Sequence, residues 1–125
     1  MDDHMIRLMT YLTRKPGTTH DEFLAYWHDI HGPLIRNSSA ANYVRRYEQH
    51  AVIWPPVGSR QPEPEFDGVT IQIFDSVESF YAHISEPDFP AMQEDIKRFL
   101  DSPSLKWVLT EEPTLVIDGA TTSES

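Results

Sequence analysis

Cysteine is absent from this 125-residue chain. That absence removes disulfides, thiolate nucleophiles and cysteine-ligated zinc or iron–sulfur sites together, and it fits a reducing compartment. Basic residues are scarce: 10 Lys and Arg stand against 20 Asp and Glu, for a formal net charge of −10. Such a surface repels phosphate backbones and anionic headgroups, which sets aside nucleic acid and membranes as partners. No apolar run reaches the ~18 residues that a bilayer span requires. The opening Met1–Met5 lacks the basic-then-apolar order of a secretion signal. A cytoplasmic location is expected.

What is present suits one small core. Hydrophobic residues make up 39% of the chain and aromatics 11%, and several aromatics sit inside patterned segments, which argues against disorder. One domain is expected over residues 5–118, with 1–4 and 119–125 as flexible ends.

Ile6 to Thr13 reads as a strand that is apolar on both faces: Ile6, Leu8 and Leu12 share one parity, Met9 and Tyr11 the other. A strand of that kind is covered on both sides. A helix layer supplies one cover, and a second copy of the chain is the simplest candidate for the other. After the turn Arg14-Lys15-Pro16-Gly17, Thr19 and Glu22 form a capping box that opens a helix. Phe23, Trp27, Ile30 and Leu34 stripe it, and Gly32-Pro33 is expected to end or kink it. A second strand is expected over Tyr43–Ile53, then a stiff loop with Pro55, Pro56, Pro62 and Pro64, long enough for a lid or an interface arm. Gly68–Phe74 is the third strand, and Ser76 caps a short helix. Pro90 suits the first turn of another, on which Glu94 and Arg98 are spaced to pair. Leu105–Leu109 gives a last strand, resumed at Thr114–Ile117. The order β-α-β-β-α-α-β predicts an α+β, ferredoxin-like split βαβ fold with a four-stranded antiparallel sheet.

Candidate functional residues follow from chemistry and position. His31 lies four residues after Trp27 on the apolar stripe, at what is expected to be a helix end. Helix carbonyls there favour the imidazolium and burial favours the neutral ring. It reads either as an acid–base group or as a structural cap. Tyr47 can orient or protonate a substrate oxygen, or pack as a core aromatic. His50 is an odd number of residues away, so an ideal strand sends the two to opposite faces unless a bulge intervenes. Asp67, before Gly68, reads as a partner for a histidine, as a buried acid, or as turn chemistry. His28 and His31 form H-x-x-H without the internal Glu of a zinc protease, and no metal is expected. Arg36, Arg45 and Arg46 are locally basic in an acidic chain. Each can hold a carboxylate or simply a surface salt bridge.

The run FLAYWHDIHGPLI, from Phe23 to Ile35, resembles the signature of the EthD family. Arg14-Lys15-Pro16-Gly17, Tyr47-Glu48-Gln49-His50 and Phe66-Asp67-Gly68-Val69 also resemble that family, in its order, over about residues 5 to 112. The resemblance implies a dimeric α+β barrel with a pocket between sheet and helices in each subunit. It also implies cofactor-free proton transfer, because relatives include a methylmuconolactone isomerase and dehydratases and decarboxylases of aromatic polyketide pathways. Many relatives carry an acid in the third strand, where this chain has Thr70-Ile71-Gln72.

The expected function is therefore a cofactor-independent lyase or isomerase, working as a homodimer on a small cyclic, aromatic or polyketide-like acid. His31, Tyr47, His50 and Asp67 are the expected catalytic residues, and Trp27, Tyr11 and Arg46 the expected substrate contacts. The alternatives are a cofactor-free or haem-using monooxygenase of the same superfamily, and a non-enzymatic small-ligand binder of a degradation pathway.

Overall fold

The computed structural model describes residues 4–119. Residues 1–3 and 120–125 of the expected flexible ends lie outside the described residues. Four strands form one sheet: β1 (Ile6–Leu12), β2 (Val44–Ala51), β3 (Gly68–Phe74) and β4 (Lys106–Glu111), in the order β2-β3-β1-β4 with every neighbouring pair antiparallel. This is the expected split βαβ arrangement, with β3 inserted between β2 and β1. Among the described residues no helix is long and apolar enough to cross a membrane.

Helix α1 (His20–Tyr26) starts on the expected box: Thr19 Oγ1 accepts from the Glu22 amide at 3.0 Å, and Glu22 Oε1 accepts from the Thr19 amide at 2.9 Å. The helical path does not end at Gly32-Pro33. A π-helical turn, Trp27–His31, follows α1, and α2 (Gly32–Arg36) continues from it. Proline has no N–H to give the ordinary ladder. The Gly32 amide instead reaches back to the Trp27 carbonyl, the wider π spacing. His31 thus stands inside a continuous helical run and not at a helix end, and the expected pull of terminal carbonyls on its charge does not arise.

The remaining differences are local. Strand β2 starts at Val44 because Ser39–Tyr43 forms a 3₁₀ turn, and a bulge interrupts its register between Val44 and Arg46. Helix α3 (Val77–Ile84) is capped by Ser76, as expected, and α4 (Phe89–Ile96) carries Pro90 in its first turn. Because α4 ends at Ile96, Arg98 does not reach Glu94. It bonds Asp95 at 3.1 Å, and Glu94 takes Lys97 at 3.0 Å. No strand resumes at Thr114–Ile117.

Two buried apolar clusters hold the helices on the sheet. Leu12, Phe23, Trp27, Phe99 and Leu100 form one, and Ile6, Phe74 and Phe80 the other. At Gly68 the strand passes close under the helix: a Cβ there would lie 2.6 Å from Cη2 and Cζ3 of Trp27 and 3.2 Å from Phe23 Cε2. Neither ring can yield, since Trp27 is 0% and Phe23 1% exposed. Gly68→Ala is therefore expected to destabilise the fold by about 1–3 kcal/mol, the usual cost of overpacking, read from a urea melt.

Candidate functional site

The cavity lies between the sheet and the helices. It measures about 430 Å³ and is lined by residues of both clusters, including Leu12, Trp27 and Phe80. Strand alternation supplies its floor: Leu8 and Thr10 of β1 face it together with Thr70 and Gln72 of β3, Tyr47 of β2 and Trp107 of β4. Its size is that of an ordinary small-molecule site. Its lining is mostly apolar, with polar groups set singly among the rings.

His31 is the best-organised of those groups. The ring is buried, packs on Phe99 and bonds Asp95 Oδ2 through Nδ1 at 2.7 Å. Asp95 is itself 2% exposed, and its Oδ1 accepts from Tyr26 Oη at 2.6 Å and from Arg98 Nη1 at 3.1 Å. Burial pushes the Asp95 carboxyl up, but the bonds from Tyr26, His31 and Arg98 outweigh it and hold the pKa below the ordinary range. Burial pushes His31 below the usual histidine value, against the upward pull of Asp95. The pair is thus a carboxylate holding a neutral imidazole. With Nδ1–H donated to Asp95, Nε2 carries the lone pair, and the ring lines the cavity.

Tyr47 also lines the cavity. Burial raises its phenol pKa, so it stays protonated and can donate. Gln49 steadies this wall: its Nε2 bonds the Trp27 carbonyl at 2.9 Å and lies 3.4 Å from Tyr47 Oη. Trp27 is fully buried in the wall. Trp27 Nε1 and Gln72 Oε1 are buried without a protein partner among the described residues. Such atoms cost ~1–3 kcal/mol each unless satisfied, and a polar ligand group can satisfy them.

The other expected site residues stand elsewhere. His50, Arg46 and Tyr11 alternate away from Tyr47, Gln49 and Thr10 and sit on the opposite face of the sheet. There His50 Nε2 bonds Glu48 at 2.7 Å, Arg46 also bonds Glu48, and Tyr11 packs on Phe66 at 5.5 Å. The bulge at Arg45 precedes Tyr47, so the three-residue spacing to His50 keeps its ordinary consequence. Asp67 does meet a histidine, but it is His20, at 2.8 Å. Its carboxylate also takes the Arg14 amide at 2.9 Å and the Arg14 guanidinium at 3.1 Å. Trp54, at the head of the proline loop, stacks on His20 at 4.0 Å and lies under Arg14 at 5.1 Å. This cluster ties that loop to the turn after β1 and lies outside the cavity lining. His28 and His31 face different partners, Gln49 and Asp95. No group of three His, Asp or Glu side chains among the described residues is placed to hold a metal.

Three residues that sequence reasoning passed over belong to the site. Asp95 and Tyr26 position His31, and His83 on α3 lines the same cavity. The signal for Asp95 was an acid on the apolar stripe of its helix, between Met92 and Phe99. The signal for His83 was its place three residues after Phe80. His83 Nδ1 bonds the Ala40 carbonyl at 2.8 Å, and its ring packs edge-on against Phe74 and Phe89. Burial lowers its pKa, against the Ala40 carbonyl and the nearby Asp88 and Glu86 carboxylates.

His31 and His83 therefore bind protons less readily folded than unfolded. Stability is full above the unfolded value of 6.5 and is lost as pH falls toward the lower folded values. The melting temperature is expected to drop between about pH 7.5 and about pH 5.8, still above the isoelectric point near 4.8. His83→Asn keeps an N–H for Ala40 and removes one titrating ring, so the drop should shrink in that variant. A flat wild-type profile contradicts the assignment.

This is the architecture of a ferredoxin-like α+β protein with a mostly apolar cavity between sheet and helices. The chain belongs to the EthD family: the model of the EthD domain matches residues 15–103. No curated protein matches it in sequence. Among solved structures it is similar to an EthD family protein of Bacillus halodurans, at 22% identity and a TM-score of 0.65 over 87% of this chain and 99% of that one. A dimeric ferredoxin-like protein from Thermobifida fusca matches at 17% identity and a TM-score of 0.62, over 90% and 94%. Hydroxynitrile lyase from Passiflora edulis matches at 13% identity and a TM-score of 0.63, over 93% and 100%. Proteins of this fold thus include an enzyme and dimers.

Proposed function

We propose that this protein is a cofactor-independent lyase or isomerase that moves a proton on a small cyclic or aromatic acid bound in the cavity. The observation that carries this reading is the buried Asp95–His31 pair presented to an apolar cavity. A neutral imidazole with its Nδ1–H fixed on a carboxylate is a competent general base at Nε2. In the reaction, the Nε2 lone pair takes a proton from a substrate carbon beside a carbonyl. The C–H electrons move into an enolate, and Asp95 stabilises the imidazolium that forms. The Tyr47 phenol and the Thr70 hydroxyl, both on the cavity wall, donate to the developing oxyanion. The imidazolium then returns its proton to another carbon, giving an isomer, or to a leaving oxygen, giving an elimination product and water. The acid that many relatives carry in the third strand is not needed for this sequence, because His31 both takes and returns the proton.

Native mass spectrometry of the purified protein, followed by incubation of the released ligand with fresh protein in D₂O, tests the reading. Deuterium incorporation or conversion supports it. A ligand that binds in the cavity and is returned unchanged and unlabelled would make the protein a carrier.

A further inference from the structure

A second recess adjoins the cavity. It measures about 580 Å³ and lies between α2 and the edge strand β2, lined by His28, Arg36, Arg45, Arg46 and Gln49. Ile35 and Tyr47 line both it and the apolar cavity, so the two compartments meet at those side chains. In a chain with 10 basic residues and a net charge of −10, this recess gathers three arginines. No carboxylate lines it.

We propose that this groove is an anion-binding vestibule and that the site takes an amphiphilic carboxylate, with its ring in the cavity and its charge in the groove. The inference rests on the function proposed above and adds which end of the substrate goes where. Because β2 is the edge strand, residues of both its faces border the groove: Tyr47 and Gln49 from the cavity side and Arg46 from the other, with Arg45 at the register shift between Val44 and Arg46. Outside carboxylates hold those two side chains in place. Arg45 bonds Asp75 through Nε at 2.8 Å and through Nη2, and Arg46 bonds Glu48. Arg36 makes no ion pair among the described residues, which leaves its planar fork to meet a ligand carboxylate in bidentate fashion. His28 is held through Nδ1 by Gln49, the same residue that bonds the Trp27 carbonyl and lies beside Tyr47. One side chain thus steadies the groove wall and the cavity wall together. An incidental basic patch on an acidic protein needs no such continuity with an apolar site.

The test uses the full chain and a matched pair of probes, 1-naphthoate and 1-naphthamide, titrated calorimetrically at low salt. The two share a ring system and differ in charge. The carboxylate is expected to bind tighter by roughly tenfold or more, the usual gain from a charge-assisted contact. That advantage should vanish in Arg36→Gln and shrink in about 0.5 M NaCl, where exposed charges are screened, while 1-naphthamide is unmoved by either. Arg36 is exposed, so the variant should fold, and the salt titration stands without it. Equal affinities, indifferent to salt and to Arg36→Gln, overturn the vestibule and leave the cavity reading standing. Binding of neither probe overturns both.

Discussion

His31→Gln is expected to lower turnover of the ligand recovered from the cavity by roughly 10²-fold or more, with little change in melting temperature. Glutamine can bond where the imidazole bonded, but it cannot carry a proton near neutral pH. The environment of His31 makes the effect large. Burial pulls its pKa down while Asp95 resists, so the ring is neutral in the resting protein and gains a stabilised charge only when it takes a proton. Asp95→Asn is the sharper companion. An asparagine amide would donate to Nδ1, drive the ring proton to Nε2 and present the cavity with a donor where a base is needed. Loss of the matching tautomer in such pairs costs up to about 10⁴-fold. If His31 were a structural cap, His31→Gln would melt lower and keep its turnover per folded molecule. NMR titration of the His31 ring gives a second readout: its pKa should shift when 1-naphthoate fills the cavity.

These two variants also show what the sequence made legible. His31 stood out because a histidine on the face of Trp27 breaks an apolar stripe. A charge contested between burial and helix-end carbonyls requires a helix end beside His31. The π-turn removes that end, and a carboxylate 64 residues away takes its place. No local pattern connects His31 to Asp95; only the packing of α4 beside the π-turn does. The fold itself was legible because each element carries its own signal. The Thr19–Glu22 box, the Ser76 cap, the two-sided β1 and the turn prolines all act within a few residues. The side of the sheet on which a residue ends up depends on register. Tyr47 and His50 therefore separated as parity requires, and Asp67 went to His20, which no spacing argument had paired with it.

Register also carries the second large effect. Purified protein is expected to sediment at about twice the 14.4 kDa chain mass at micromolar concentration. Since Leu8, Thr10, Thr70 and Gln72 face the cavity, alternation puts Met9, Tyr11, Val69, Ile71, Ile73 and Val108 on the other side of the sheet. The helices lining the cavity all pack on the first side, so this second apolar face has no cover from them. A monomer rarely exposes a contiguous apolar face larger than a few hundred Å², and a second sheet laid against it would bury both. A solved protein of this fold, that of Thermobifida fusca, is described as dimeric. Ile71→Asp puts a carboxylate at the centre of that face, where an unpaired buried charge opposes association strongly. It should sediment as a monomer. Val108→Lys is the gentler control: Val108 is 45% exposed in the single chain, so the fold tolerates a lysine there, and only association should suffer. Both changes lie across the sheet from the cavity, so 1-naphthamide binding should survive the loss of the dimer. A wild-type chain that sediments as a monomer at those concentrations would sink the two-sheet assembly. A Val108→Lys protein that stays dimeric would place the interface on another surface.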